Sequence, residues 1–496
     1  MLSEHRLIVL SLALFVQAGC KSTDATVESE GGPSNITTVC DVAIVGGGVG
    51  GLHTAMRLGA KSGSKVCLFE KEERLGGRIY DIGKPPNQAA APFLGNGGRR
   101  VMDGQSVVFS LAKELGIQLD EPKTGSDLVF ARGKFATNKD DFLPLYPGLT
   151  YDHTKPDVES QLLQQLLSSP ERAHADKYPD FKSYIHQVIG PVGYQYLHDM
   201  NRFRGDFEYP LSARGYLDFL AEEINVCCQT FYPVGGMSAF VRAMAAKVQA
   251  SGVRVFTSEP VTAINGTSGV YQLTTAKRMV AADKVIIAVP PAAFDHIGGS
   301  IAKRIQQRPE YQALIGVRVT VINQWFKDSW WDKVRTADGK NIWRAYTTGH
   351  CISYVEIPPE AYAAPMHAIR TVYNDSAACA EFWAKLAKGP IEQLEAELHK
   401  GLDHLFTDNH ITTPVQIPPA VATTFWEWID GWYWVKAGSP LTNADIFQWA
   451  TEPLAGEDIG LVSEAYNPQR SAWTDAAYKS SIHLLNAKYA MKLSGE

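Results

Sequence analysis

One stretch constrains the fold of this chain more than any other: Asp41-Val42-Ala43-Ile44-Val45 followed directly by Gly46-x-Gly48-x-x-Gly51. The first five residues make a short apolar strand with β-branched side chains. Gly46 permits a tight turn, Gly48 leaves the backbone open to a pyrophosphate, and Gly51 lets the next helix close onto the strand. Val49 and Gly50 complete the turn. The spacing predicts a helix over 51–58 whose positive end faces the phosphates. A second apolar run, Val66–Phe69, ends in Glu70 and Lys71. A carboxylate at that strand end accepts hydrogen bonds from ribose hydroxyls and disfavours a 2′-phosphate, which argues against NADP. Gly76-Gly77-Arg78 then brings close-passing backbone and a guanidinium that can neutralise pyrophosphate charge, which narrows the dinucleotide from NAD to FAD. A lone glycine fingerprint is weak evidence. Here a strand precedes it, a helix follows, and an acid ends the next strand.

Far downstream, Glu464 is followed at short range by Ser471-Ala472-Trp473-Thr474-Asp475-Ala476-Ala477. This segment reads as the place where a flavin ring is closed in. The whole chain has 496 residues, too many for one simple domain and comfortable for two. Hydrophobic content of 45% and charged content of 20% are ordinary for a globular protein, and a net charge of −6 argues against a nucleic-acid surface.

The N-terminus has signal-peptide proportions: His5 and Arg6, an apolar core over 7–16, and Gln17-Ala18-Gly19-Cys20. The small residues before Cys20 are similar to a lipoprotein cleavage box, so residues 1–20 read as a signal segment and 21–39 as a polar tether. Export is expected, either secreted or lipid-anchored at Cys20, with membrane contact only through such an anchor. Seven cysteines are scattered, with no CxxC metal spacing; their pairing cannot be assigned from sequence. Cys67, in an apolar strand, reads as inert packing, and Cys227-Cys228 as structural.

Helical stretches are expected over 105–116, 158–167, 181–189, 216–224 and 238–250, and strands over 253–256, 261–264, 271–275 and 284–289. The last is fully apolar, stops at Pro290-Pro291, and should return the chain to the nucleotide sheet. The expected fold is α/β: a discontinuous FAD-binding Rossmann-like domain of glutathione-reductase type, plus an inserted α+β substrate domain with a helical part. Residues 40–125, 233–300 and 426–496 fall to the first domain, and 126–232 and 301–425 to the second.

With these motifs in hand, the chain resembles the flavin-containing amine oxidases, most closely the L-amino-acid oxidases. The resemblance implies noncovalent FAD, since Gly431-Trp432-Tyr433-Trp434 holds no cysteine where some relatives attach it. It implies that Gly97-Gly98-Arg99-Arg100 passes over the flavin, with Arg100 gripping a substrate carboxylate through two parallel hydrogen bonds. It assigns Val261 to the adenine, Glu464 to the ribityl–phosphate portion, Trp473 to the substrate wall, and Thr474 to the start of a helix under the flavin pyrimidine. Arg318 is the best match to a lysine that many relatives carry near the ring. Trp426, Trp428, Trp432, Tyr433 and Trp434 are candidates for an aromatic wall. The implied activity is oxidation of L-amino acids by dioxygen, giving a 2-oxo acid, ammonia and hydrogen peroxide. Alternatives are an amine or polyamine oxidase, a desaturase of an apolar substrate, or a flavin-bound binding module without turnover.

Overall fold

The computed structural model describes residues 36–61, 63–83, 94–121, 125–225, 229–357 and 366–495. The signal-like segment with Cys20, the tether as far as residue 35, and Cys227-Cys228 lie outside them.

A parallel core of strands carries the glycine motif. Ile36–Val45 pairs with Val66–Phe69 on one side and with Met279–Ile287 on the other, all parallel. Arg254–Phe256 extends the first edge. Ile459–Leu461 adds in parallel to Met279–Ile287, and an antiparallel pair, Val261–Thr267 and Val270–Thr275, completes the other side. Successive side chains of a strand point to opposite faces. Val42 and Ile44 therefore enter a core with Leu52, Phe240, Met244 and Ile482, while Ala43 and Val45 enter a second core with Ile264, Leu273 and Ile301. A strand covered on both faces reads as an unbroken apolar run, which is why the segment was recognisable. Helices Val49–Gly59, Ser238–Ala250 and Thr474–Tyr489 form the cover on the first face.

The second sheet has the order Ala422–Val435, Leu314–Phe326, His367–Asn374, Tyr354–Glu356, Ile342–Thr347, Ser126–Ala131, Lys134–Ala136. One face is roofed by Val158–Ser168, Phe181–Met200 and Ala213–Asn225, whose Leu162, Tyr184 and Leu217 share a core with Val317, Val319 and Trp434. Helices Ala377–Ala387 and Ile391–Phe406 cover the other face. The expected helix over 181–189 is the first half of a longer one that breaks at Gly190 (φ 75°), before Pro191.

Two expected boundaries move. Residue 426 falls inside Ala422–Val435, which pairs along its length with Leu314–Phe326, so the chain returns to the first layer only after Val435. Residue 301 falls inside the helix Ser300–Gln306, which packs its Ile301 and Ile305 into the first-layer core. The second excursion starts at Leu314. Cys67 is not inert packing: it forms a disulfide with Cys40 on the adjacent strand, and Cys351 pairs with Cys379.

Candidate active site

The glycine turn is shaped by lack of space on one side and open space on the other. Gly46 has φ 108°, and a Cβ there would sit 2.5 Å from the Ala288 carbonyl oxygen. A Cβ on Gly51 would overlap the Gly46 carbonyl, so helix and strand touch through backbone alone. Gly48 differs: no heavy atom lies within 4 Å of a Cβ built on it. This is a cradle beside the start of Val49–Gly59, a helix with no side-chain cap on its first amides. Gly77 (φ 56°) passes so near that its Cβ would meet the Gly48 Cα at 3.2 Å.

Glu70 closes the groove. Its Oε2 accepts the Gly47 N–H at 2.7 Å and its Oε1 the Glu72 N–H at 2.9 Å. Burial pushes its carboxyl above the usual value, against the pull of those two amides. Two bonds leave acceptor capacity for ribose hydroxyls. The Glu259 N–H donates to the Glu70 carbonyl at 2.9 Å, which brings the start of Val261–Thr267 alongside, with Val261 buried in the same core as Phe69. Lys71 points away, exposed, and pairs with Glu72 at 3.5 Å. The donor set and the cradle fit an adenine dinucleotide.

Arg78 and Glu464 pair with each other. Arg78 Nη1 donates to Glu464 Oε2 at 2.9 Å and to the Gly431 carbonyl at 2.9 Å. Glu464 Oε1 accepts from the Tyr433 N–H (3.1 Å), the Ser471 hydroxyl (3.1 Å) and the Ala472 N–H (3.2 Å). The pair is thus a knot that ties the glycine-rich turn, the second sheet and the C-terminal loop together. The Arg78 guanidinium is held above its ordinary pKa: burial opposes this, and Glu464 more than offsets it.

Gly97 and Gly98 run between the two layers. A Cβ on Gly97 would overlap the Arg78 carbonyl, and one on Gly98 would lie 3.2 Å from the Thr474 hydroxyl at the start of Thr474–Tyr489. Beside them opens a cavity of about 880 Å³. Arg100 and Trp473 both line it, with the guanidinium 5.8 Å from the Trp473 ring centre and 6.0 Å from that of Phe203. The two residues assigned to substrate contact are therefore brought together.

Arg99 and Arg318 depart from expectation. Arg99 is buried and ion-paired with Glu356. Arg100 Nη1 lies 3.9 Å from the other oxygen of Glu356, and Arg370 Nη1 approaches the same carboxylate at 4.0 Å. Arg318 lies on Leu314–Phe326 outside the cavity lining, with its Nε donating to Glu427 at 2.7 Å. It is a half-exposed sheet pair and not a cavity group. Of the aromatic candidates, Trp432 and Trp434 line the cavity. Trp428 donates its indole N–H to the Asn96 carbonyl, Trp426 packs on Tyr80, and the Tyr433 hydroxyl donates to Asp430.

Sequence reasoning missed Glu356, Tyr354, Arg370, Glu223 and Asp206. Apart from Tyr354 and Glu356, which share a strand, they come from separate strands and helices. Burial pushes the Tyr354 phenol up, but the guanidiniums of Arg202, Arg99, Arg100 and Arg344 overcome that and hold it below its ordinary value. Trp473 donates its indole N–H to Glu223 Oε2 at 3.0 Å. Burial raises the Glu223 carboxyl, with Arg470 opposing.

A family model described as flavin containing amine oxidoreductase matches residues 49–417. The chain is 33% identical to amine oxidase (flavin-containing) B of Rattus norvegicus over 113 residues, 23% of this chain and 21% of that protein. It is 33% identical to the Homo sapiens protein of the same name over 116 residues, again 23% and 21%. The match therefore spans about a fifth of the length of these curated relatives. Among solved structures, wild-type putrescine oxidase bound to putrescine superposes with a TM-score of 0.66 at 17% identity, covering 91% of this chain and 99% of that one. Cyclohexylamine oxidase from Brevibacterium oxydans IH-35A gives 0.69 at 14% identity, covering 91% and 99%. At these identities the structures speak for the fold.

Proposed function

The chain belongs to the flavin-containing amine oxidoreductase family, and from that premise we propose that it is an oxidase of L-amino acids. The products are a 2-oxo acid, ammonia and hydrogen peroxide. FAD is the cofactor. When bound, it supplies the two-electron acceptor and the route of those electrons to dioxygen. The observation that carries the substrate reading is a cluster of guanidiniums at the cavity wall: Arg99, Arg100 and Arg370 all line it, and all three approach the carboxylate of Glu356. Arg100, the most exposed of the three, is the one placed to take a substrate carboxylate and orient the adjacent C–H. Trp473 and Trp432 wall the space and exclude water. The helix start at Thr474 brings partial positive charge to the cofactor side of the cavity. Gly46, Gly48, Gly51 and Glu70 hold the adenosine and pyrophosphate portion, and FAD is held without a covalent bond. Export of the chain is part of the proposal, and the Cys40–Cys67 and Cys351–Cys379 disulfides support it, since such bonds persist in oxidising compartments.

A second reading, oxidation of amines without a carboxylate, is favoured by the names of the superposing structures and by the acid Glu223 beside Trp473. Peroxide production by purified, FAD-loaded protein against L-amino acids, D-amino acids and simple amines separates the two. Turnover of L-amino acids alone, lost in Arg100→Ala with flavin still bound, is expected. Turnover of monoamines that Arg100→Ala leaves untouched would replace the first reading by the second. Bound flavin that no amine reduces would point to a binding module.

A further inference from the structure

Cys40–Cys67 and Cys351–Cys379 sit in different surroundings. Cys40–Cys67 joins the two strands that end in the glycine turn and Glu70, and its residues are buried, at 1% and 0% exposed. Cys351–Cys379 ties the loop before Tyr354–Glu356 to the helix Ala377–Ala387, and both its residues are partly exposed.

Exposure alone would make the second bond the more reactive. The side chains beside the sulfurs argue for the reverse. Arg254 opens the edge strand Arg254–Phe256, in register with Cys67. Its guanidinium reaches over that neighbour: Nη2 lies 3.1 Å from Cys67 Sγ and 3.6 Å from Cys40 Sγ, and it donates to the Val39 carbonyl. Among the described residues no carboxylate pairs with Arg254. Nor does any cation there contact a sulfur of Cys351–Cys379, where the Trp383 indole N–H donates to the Cys351 carbonyl instead.

A cation against a sulfur favours the thiolate that leaves when the bond is cut, and a thiol of lower pKa leaves faster. It also stabilises the reduced form at equilibrium, which makes the bond more oxidising. Burial opposes both effects, but here the guanidinium touches both sulfurs. Arg254 is itself exposed, and a cleft of about 480 Å³ opens beside it, lined also by Val39, Lys65 and Val66. The two cations of that lining attract an incoming thiolate.

We propose that Cys40–Cys67 is a redox-active bond that exchanges with small dithiols, that Arg254 activates it, and that its state governs how firmly the nucleotide layer holds FAD. The thiolate of the dithiol attacks Cys40 Sγ, and the electron pair of the broken S–S bond leaves on Cys67 Sγ beside the guanidinium. The second thiol of the reagent, as thiolate, attacks the reagent's own sulfur in the mixed disulfide and displaces Cys40. The dithiol is oxidised by two electrons and the protein bond reduced by two. One proton goes to Cys40 and the other to solvent, with Cys67 left as thiolate. Cutting the bond removes the covalent tie between the strands beneath Gly47 and Glu70. Nothing in this step depends on the identity of the substrate.

The test is an equilibrium titration of the FAD-loaded protein in dithiothreitol buffers of stepped reduced-to-oxidised ratio at neutral pH. Free thiols are alkylated, and the peptides carrying Cys40, Cys67, Cys351 and Cys379 are read by mass spectrometry. Cys40–Cys67 should be half reduced at a ratio about tenfold lower than Cys351–Cys379, the effect of one unit in a thiol pKa. Arg254→Met should raise that ratio about tenfold, and Arg254→Lys, which keeps a cation, should restore most of it. On warming, flavin fluorescence should rise at a lower temperature once Cys40–Cys67 is reduced. Parallel reduction of the two bonds in the unaltered protein would overturn the proposal, with no variant needed. So would an Arg254→Met protein that titrates like the unaltered one, or a reduced protein that releases its flavin at an unchanged temperature.

Discussion

The two sides of the active site are built by opposite means. On the cofactor side, recognition is done by missing atoms: Gly48 faces open space, Gly51 touches the Gly46 carbonyl, and Gly77 brushes Gly48. On the substrate side it is done by charged side chains that line the cavity, Arg100, backed by Glu356, together with Glu223 and Asp206. A wall of backbone tolerates no added carbon, whereas a wall of charges can be retuned one residue at a time. The cofactor side should therefore fail outright under substitution, and the substrate side should change preference while keeping its flavin.

The largest break is expected at Gly51→Val. The new side chain collides with backbone, so flavin absorbance should be absent from the purified protein and stability should fall by about 3 kcal/mol or more. A variant that keeps its flavin would refute the backbone account. Next comes Glu464→Ala, which leaves Arg78 buried without its partner. Loss of one member of such a pair costs roughly 3–5 kcal/mol, readable in urea melts, and both sides of the site should loosen together. Arg100→Ala should keep FAD but lower kcat/KM on a carboxylate-bearing substrate by about 2–4 kcal/mol in transition-state terms.

A pH titration of stability sharpens the contrast further. In the cofactor layer, burial and then Arg57 hold His53 down to about 3, from 6.5. Between those values the unfolded chain binds a proton that the folded chain refuses, so stability is lost as pH falls from 6.5 toward 3. Beside the substrate cavity, Asp375 is raised to about 7 from 3.8, so the folded chain holds the extra proton and stability is lost as pH rises from about 4 to 7. His53→Gln should flatten the acid limb and Asp375→Asn the opposite one, each by on the order of 2 kcal/mol in melts across that range. The smallest effect belongs to Arg318→Met. It breaks a half-exposed pair worth about 1 kcal/mol or less, and kcat should not move. A large fall in kcat would return Arg318 to the catalytic list.

This asymmetry also explains what the sequence discloses. The glycine turn, Glu70 and the flanking strands are legible because their geometry is local, and a fixed spacing along the chain is a fixed spacing in space. Arg100 and Trp473 could be assigned through resemblance, and the fold brings them together. Glu356, Glu223 and Asp206 were not legible, because each becomes meaningful only when strands and helices from separate insertions pack. For Arg78 and Glu464 the positions are legible but the knot they form is not, because no spacing rule connects them to Gly431 and Ser471. Cys67 was misread because an apolar strand hides a half-cystine as easily as a packed thiol.

The Cys40–Cys67 bond spans 27 residues of chain and encloses the glycine turn with its helix. A covalent ring of that size takes about 3–4 kcal/mol of freedom from the unfolded chain. Gly46 lies inside this ring, close to Cys40, and Glu70 just past Cys67, so even a fully unfolded molecule keeps the phosphate turn and the ribose acid within a short tether of each other. In an oxidising environment, then, an apoprotein that has lost its other order still carries the outline of its nucleotide groove as a matter of connectivity, and a thiol reductant would erase that outline without touching a single groove residue.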